Sequence, residues 1–122
     1  MPDSLTREII GAAIEVHKHL GPGLLESIYE ECLCHELELR GILFERQKPI
    51  EISYKDLRAA FDFRIDLIVD NSVVVELKAV KELHPIYEAQ LLTYMKLSGY
   101  KKGLIINFNV PLLKDGLKRM VL

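Results

Sequence analysis

The chain has 122 residues, 49% of them hydrophobic and 28% charged, which is neither a disordered nor a fibrous composition. A formal net charge of −2 and a pI near 6.1 disfavour a protein that coats nucleic acid by bulk electrostatics. No apolar run approaches the ~18 residues of a membrane span and MPDSLTREII lacks a signal-peptide pattern, so a soluble, cytoplasmic protein with one domain over 1–122 is expected.

The first predicted helix runs from about Leu5 to Leu20. Ser4 can cap it, and Leu5, Ile9, Ala12, Ala13, Val16 and Leu20 recur at helical spacing. Gly21-Pro22-Gly23 stops it. A second helix is expected from about Leu24 to Arg40, with Leu25, Ile28, Tyr29, Cys32 and Leu33 as its apolar stripe and Gly41 as its end. Ile50, Ile52 and Tyr54 then alternate with polar residues, as in a half-buried strand, and Lys55 to Arg58 reads as a turn. Phe61, Phe63, Ile65, Leu67 and Val69 form one face of a second strand. Asp62, Arg64, Asp66 and Ile68 form the other.

Asp70, Asn71 and Ser72 make the next turn. Val73 to Val80 is a third strand, apolar on both faces at Val73, Val74 and Val75, which marks it as central and covered. A helix from Pro85 to Gly99 carries the stripe Tyr87, Leu91, Tyr94 and Met95. Gly103 to Phe108 is a buried strand that follows this helix, which suggests a parallel crossover. The tail, Pro111 to Leu122, fits either a short helix or an edge strand. The order α-α-β-β-β-α-β gives an α/β domain with a mixed β-sheet.

Three charges do not belong in such strands. Glu76 and Lys78 are two apart, so they share the face of Val74. If Asp70 to Ser72 is a three-residue loop, Val69 pairs with Val73, Asp66 stands opposite Glu76, and Arg64 opposite Lys78. Opposed Cβ atoms lie about 4.5–5.5 Å apart. A two-residue loop would put Asp66 on the other face. Two opposed carboxylates repel, and burial raises both pKa values. A hard divalent cation such as Mg²⁺ removes the conflict, since it takes a few carboxylate oxygens and keeps several waters. Lys78 would then lie beside the bound water or a substrate phosphate, as phosphodiester hydrolysis requires. On an exposed hairpin, Glu76 and Lys78 would simply be a solvated face; the apolar runs around them argue against exposure.

Glu26 opens the second helix, where it either serves the helix dipole or joins a metal site. Gln90 and Tyr94 share a helix face at i and i+4. They are either boundary residues of the core or groups that orient water and contact substrate. Lys96, Lys101, Lys102, Lys114, Lys118 and Arg119 bias the C-terminal third towards positive charge. That bias is either solvation or a surface for a phosphate backbone. Cys32 and Cys34 would point about 200° apart on a helix, so they share neither a bond nor a metal. His17 and His19 diverge, and His35 and His84 lack ligand-spaced partners, so zinc is not expected.

These residues together resemble the GxxExxY family of the PD-(D/E)XK nuclease superfamily. Gly23-Leu24-Leu25-Glu26-Ser27-Ile28-Tyr29 matches the naming motif in full. RIDLIVDNSVVVELKAV supplies Asp66 and Glu76-x-Lys78, and EAQLLTYMKLSGY supplies Gln90 and Tyr94, which also resemble a QxxxY motif. Ile65 stands where the superfamily often has proline before its aspartate. The resemblance implies a restriction-endonuclease-like core, a mixed sheet flanked by helices. It implies Mg²⁺-dependent cleavage of nucleic acid, of DNA before RNA, with Mn²⁺ able to substitute. By analogy Glu26, Asp66 and Glu76 are the acidic, metal-holding residues, Lys78 the catalytic lysine and Gln90 an auxiliary, with Tyr94 and Lys96 towards the substrate. The rival expectation is a non-catalytic nucleic-acid- or protein-binding module on the same fold. A homodimer is a third expectation, resting on the apolar tail residues Leu112, Leu113, Leu117, Met120 and Val121, which are otherwise ordinary core.

Overall fold

The computed structural model describes residues 3–122, except the side chains of residues 60–62. The expected placements of Phe61 and Asp62 therefore lie outside the described residues. Helices α1 (Ser4–Leu20) and α2 (Glu26–Leu39) precede strands β1 (Phe44–Tyr54), β2 (Leu57–Val69) and β3 (Val73–Lys78). Helix α3 (Pro85–Ser98), strand β4 (Lys102–Asn107), a 3-10 turn (Leu113–Gly116) and strand β5 (Leu117–Val121) complete the chain. The five strands form one sheet in chain order, β1-β2-β3-β4-β5. Only β3 and β4 are parallel, joined by the crossover through α3; the other neighbours are antiparallel. This is the mixed, helix-flanked sheet of a restriction-endonuclease-like α/β fold.

Strand alternation splits the core in two. Val73, Val75 and Leu77 of β3, with Leu104 and Ile106 of β4, face α1 and α2, where Ile9, Ala12, Ala13, Tyr29, Leu33 and Leu37 are fully buried. Val74 and Ile105 face the other way, onto Leu91 and Met95 of α3. Gly103 permits that contact: a Cβ there would come within 2.6 Å of Met95 Sδ and 3.0 Å of Leu91 Cδ2. In the tail, Leu113 is buried, Leu117 and Met120 pack against the two cores, and Leu112 and Val121 are exposed. Among the described residues no helix is long and apolar enough to cross a membrane.

Several boundaries differ from the sequence reading for identifiable reasons. Asp3, not Ser4, caps α1; its carboxylate accepts a hydrogen bond from the Thr6 N–H. Helix α2 starts at Glu26, which leaves Leu25 as an extended cap residue, 71% exposed, while Ile28 is also exposed. Tyr29 and Leu33 of the expected stripe are buried and Cys32 packs against the core at its edge, while Cys34 and Leu37 complete the buried face. Strand β1 begins six residues before Ile50, because a mostly exposed edge strand shows little apolar alternation. The turn after it is only Lys55 and Asp56, since Tyr54 pairs with Leu57, so Arg58 belongs to β2. Strand β3 stops at Lys78 rather than Val80. There the buried Asn107 side chain takes over, its Oδ1 accepting from the Val80 N–H and its Nδ2 donating to the Val80 carbonyl, both at 3.0 Å. The tail is both a 3-10 turn and an edge strand.

Candidate active site

The centre of the site is a fork between β2 and β3. The three-residue turn sets Val69 against Val73, Ile68 against Val74 and Leu67 against Val75, as the loop count anticipates, and there the backbone ladder ends. Beyond it two carboxylates replace backbone pairing. The Asp66 N–H donates to Glu76 Oε1 at 3.3 Å, and the Leu77 N–H donates to Asp66 Oδ2 at 2.8 Å. The expected opposition of Arg64 and Lys78 does not form, because the strands have already parted; Arg64 reaches back to the Gln47 carbonyl on β1.

The fork keeps two acids close in a poorly solvated place. Glu76 is 8% exposed. Burial, and then the charge of Asp66, push its carboxyl up to about 8. Burial also lifts Asp66, against the donated Leu77 N–H. Glu26, at the first turn of α2, is raised by partial burial and then by Asp66, while Lys78 pulls it down. Lys78 acts in the same downward sense on Asp66 and Glu76, so one ammonium serves three carboxylates. Its Nζ rests 4.4 Å from the centroid of the Tyr87 ring on α3. Its backbone is held by the Phe108 N–H, which donates to the Lys78 carbonyl at 2.9 Å, just beside the Asn107 bridge.

Three supporting residues were not singled out by the sequence. Gln47 interrupts β1 with a left-handed φ of 50°, a conformation costly outside glycine. The kink lets its Nε2 donate to Glu30 Oε1 at 2.7 Å and, weakly, to Asp66 Oδ1 at 3.4 Å. Glu30 in turn accepts from Arg46 at 2.8 Å. A relay Arg46–Glu30–Gln47–Asp66 therefore ties α2 and β1 to the fork. Tyr87, which reads in sequence as part of a core stripe, carries the Lys78 ammonium. Asn107 fixes the strand end that bears Lys78. Nothing in a single sequence marks the kink at Gln47; a polar Asn107 inside the otherwise apolar GLIINF run is the one visible signal.

The remaining candidates divide. Tyr94 faces the site: its hydroxyl is raised first by burial and then by the charges of Glu76 and Asp66. Gln90 lies one turn earlier on that face, exposed and without a hydrogen bond among the described residues. Lys96 is exposed and, two residues after Tyr94, sits about 200° around the helix from it, so the structure does not bring it to this cluster. The GPGLLES loop has its own clasp. Gly23 adopts a φ of 97°, and the buried Tyr29 hydroxyl donates to the Gly21 carbonyl at 2.6 Å and accepts from the Leu24 N–H at 3.1 Å. That clasp fixes where α2 begins, and hence where Glu26 stands.

The donor set suits a hard divalent cation: the buried Glu76 and half-buried Asp66 carboxylates, each holding more proton than it would in water, are forced together and offer oxygen only. Among the described residues no three His, Cys, Asp or Glu side chains converge as a ready set of ligands. A separate open groove of about 510 Å³ lies between α1 and α2, lined by Val16, Leu20, Cys32 and His35 among others, and includes none of the candidate site residues.

Compared with known proteins, residues 3–120 match a family model described as the PD-(D/E)XK nuclease superfamily. No curated protein and no solved structure matches the chain.

Proposed function

The chain belongs to the PD-(D/E)XK nuclease superfamily, and on that premise we propose that it is a Mg²⁺-dependent nuclease that hydrolyses phosphodiester bonds, of DNA before RNA. The observation that carries this reading is the fork: Asp66 and Glu76 each bonded to the other's strand, with Lys78 one alternation further on. Within the superfamily we assign the chain to the GxxExxY family. Each named residue of that motif has a physical task in this loop: Gly23 the left-handed turn, Tyr29 the clasp, Glu26 the rim of the acid pair.

Asp66 and Glu76 would hold the cation, with Glu26 as an outer partner that orients its water. When bound, Mg²⁺ supplies Lewis acidity to the scissile phosphate and makes the attacking water more acidic. Asp66 keeps its orientation through the Leu77 N–H, so one oxygen is committed to the protein and the other is turned towards Gln47. Lys78 offers its ammonium to the phosphoryl oxygen as negative charge develops, an interaction worth roughly 10²–10³ in rate for a well-placed donor. The Tyr87 ring keeps that ammonium from collapsing onto either carboxylate. Gln90 orients the attacking water from α3 and Tyr94 contacts the substrate beside the carboxylates; Lys96, on the opposite side of α3, takes no part in this cluster.

The test is cleavage of labelled linear, nicked, branched and single-stranded nucleic acids in Mg²⁺ and Mn²⁺. The Asp66→Ala and Lys78→Ala proteins are run alongside after thermal melts confirm that they fold. Metal-dependent cutting that both variants lose is expected. Cutting that both retain, or no cutting by the wild type with any substrate or metal, would overturn the reading.

A further inference from the structure

Phe63 is the least explained large side chain near the site. It lies on β2, three residues before Asp66, yet is 44% exposed and joins neither core. Its ring meets Tyr94 at a centroid distance of 6.0 Å and an interplanar angle of 59°. A tilted contact of this kind leaves ring faces uncovered. Tyr94 is partly buried against the α3 core and lies within the field of Glu76 and Asp66. Tyr94 stands two turns beyond Tyr87 on the same face of α3, and Tyr87 seats the Lys78 ammonium, so the aromatic pair borders the acid pair. The third ring of the region, Tyr87, already has a face occupied by Lys78. Phe63 has no cation over it among the described residues and is exposed, so its ring offers an aromatic surface.

A flat apolar ring at the edge of a phosphate-handling centre suits one kind of group, the base attached to the neighbouring sugar. A base inside a duplex has both faces stacked already. An unpaired base has a free face, and stacking on an aromatic side chain is tolerant of its identity. We propose that Phe63 and Tyr94 form a stacking platform for an unpaired nucleobase next to the phosphate at Asp66 and Glu76. The substrate is then single-stranded or locally unpaired nucleic acid. This rests on the nuclease reading for the position of the phosphate; the platform itself is tested by binding.

The experiment is fluorescence anisotropy on the full chain with labelled single-stranded DNA, single-stranded RNA and a blunt DNA duplex, in Ca²⁺ in place of Mg²⁺. At least one single strand binds about tenfold tighter than the duplex. Phe63→Ala weakens that binding by roughly fivefold or more, given the usual strength of base–aromatic stacking. Phe63→Trp restores it, and duplex binding is unchanged throughout. Because Phe63 lies outside both cores, the alanine variant keeps the wild-type melting temperature. Equal binding of strand and duplex, no binding at all, or equal loss on both in Phe63→Ala would overturn the platform. The two readings fail separately. Strand binding that depends on Phe63 without any cleavage in Mg²⁺ or Mn²⁺ sinks the nuclease and leaves the platform. Cleavage that depends on Asp66 but is indifferent to Phe63 and to strandedness sinks the platform alone.

Discussion

Asp66 and Glu76 exchange hydrogen bonds with each other's strands: the Asp66 N–H donates to the Glu76 carboxylate, and the Leu77 N–H donates to the Asp66 carboxylate. The side chains thereby continue a ladder that the backbone has abandoned. The arrangement is costly without a cation, because both acids are poorly solvated and one repels the other.

That cost has a sign in pH. Glu76 rises from an ordinary 4.5 to about 8 in the folded chain. The native state therefore holds a proton that the unfolded chain has released. Stability then falls as pH rises between about 4.5 and 8, and levels off above. The Glu76→Gln variant removes this slope. In chelator it should melt higher than the wild type at pH 8.5, with the difference shrinking towards pH 5, while cleavage is abolished. Parallel melting curves of the two proteins across that range would refute the assignment.

Cation binding should be proton-linked in the same window. Loading the site displaces the proton that Glu76 retains, so Mg²⁺ or Mn²⁺ affinity increases from pH 6 to pH 8 and protons are released on binding. Titration calorimetry in two buffers of different ionisation enthalpy measures that release directly; identical heats in both would contradict it.

Gln47 holds Asp66 from outside the fork. Gln47→Ala removes a donor to both Glu30 and Asp66, and should weaken cation affinity by roughly 10–100-fold, the usual range for a residue that orients a metal-binding side chain. The substitution also eases none of the left-handed backbone strain, so no gain in stability is expected. Gln47→Gly would ease that strain and should show the same loss of affinity with a smaller loss of stability.

Tyr87 positions Lys78 through its ring, not through its hydroxyl. Tyr87→Phe should therefore keep kcat within about twofold. Tyr87→Leu should lower kcat by roughly 2–30-fold, the range of a cation–π contact, with little change in the metal concentration needed for half activity. Equal effects of the two substitutions would point to the hydroxyl instead.

Asn107 is 2% exposed and bridges to Val80 through both its donor and its acceptor. Asn107→Leu leaves the half-buried Val80 N–H and carbonyl without their partner, at a cost of about 1–3 kcal/mol. The melting temperature should drop by several degrees, and kcat should drop with it, because the end of β3 carrying Lys78 loses its anchor.

Much of this site was legible because strands obey a count. A three-residue turn between Val69 and Val73 fixes the register, and the register brings Asp66 to Glu76. The same count failed two residues later at Arg64 and Lys78, since no sequence rule says where a ladder opens. The stripe of α2 was misphased at Leu25 for a local reason. Leu25 is one turn before Tyr29, but the Tyr29 hydroxyl clasps the preceding loop, so the helix begins only at Glu26 and Leu25 points to solvent. The sequence does not mark Gln47, because its role depends on a backbone kink, not on its residue type. Tyr87 was visible as an apolar position, and only its neighbour across the fold made it the seat of an ammonium.

The strands lie side by side in the order in which they are linked, with one crossover, between β3 and β4. Asp66 and Glu76 therefore belong to a local meander that a growing chain can complete once residue 78 is free of the ribosome. The anchor of Lys78 waits for residues 107 and 108, about 30 positions later. The acid pair thus rests on contacts within 11 residues of chain, whereas the anchor of Lys78 spans about 30.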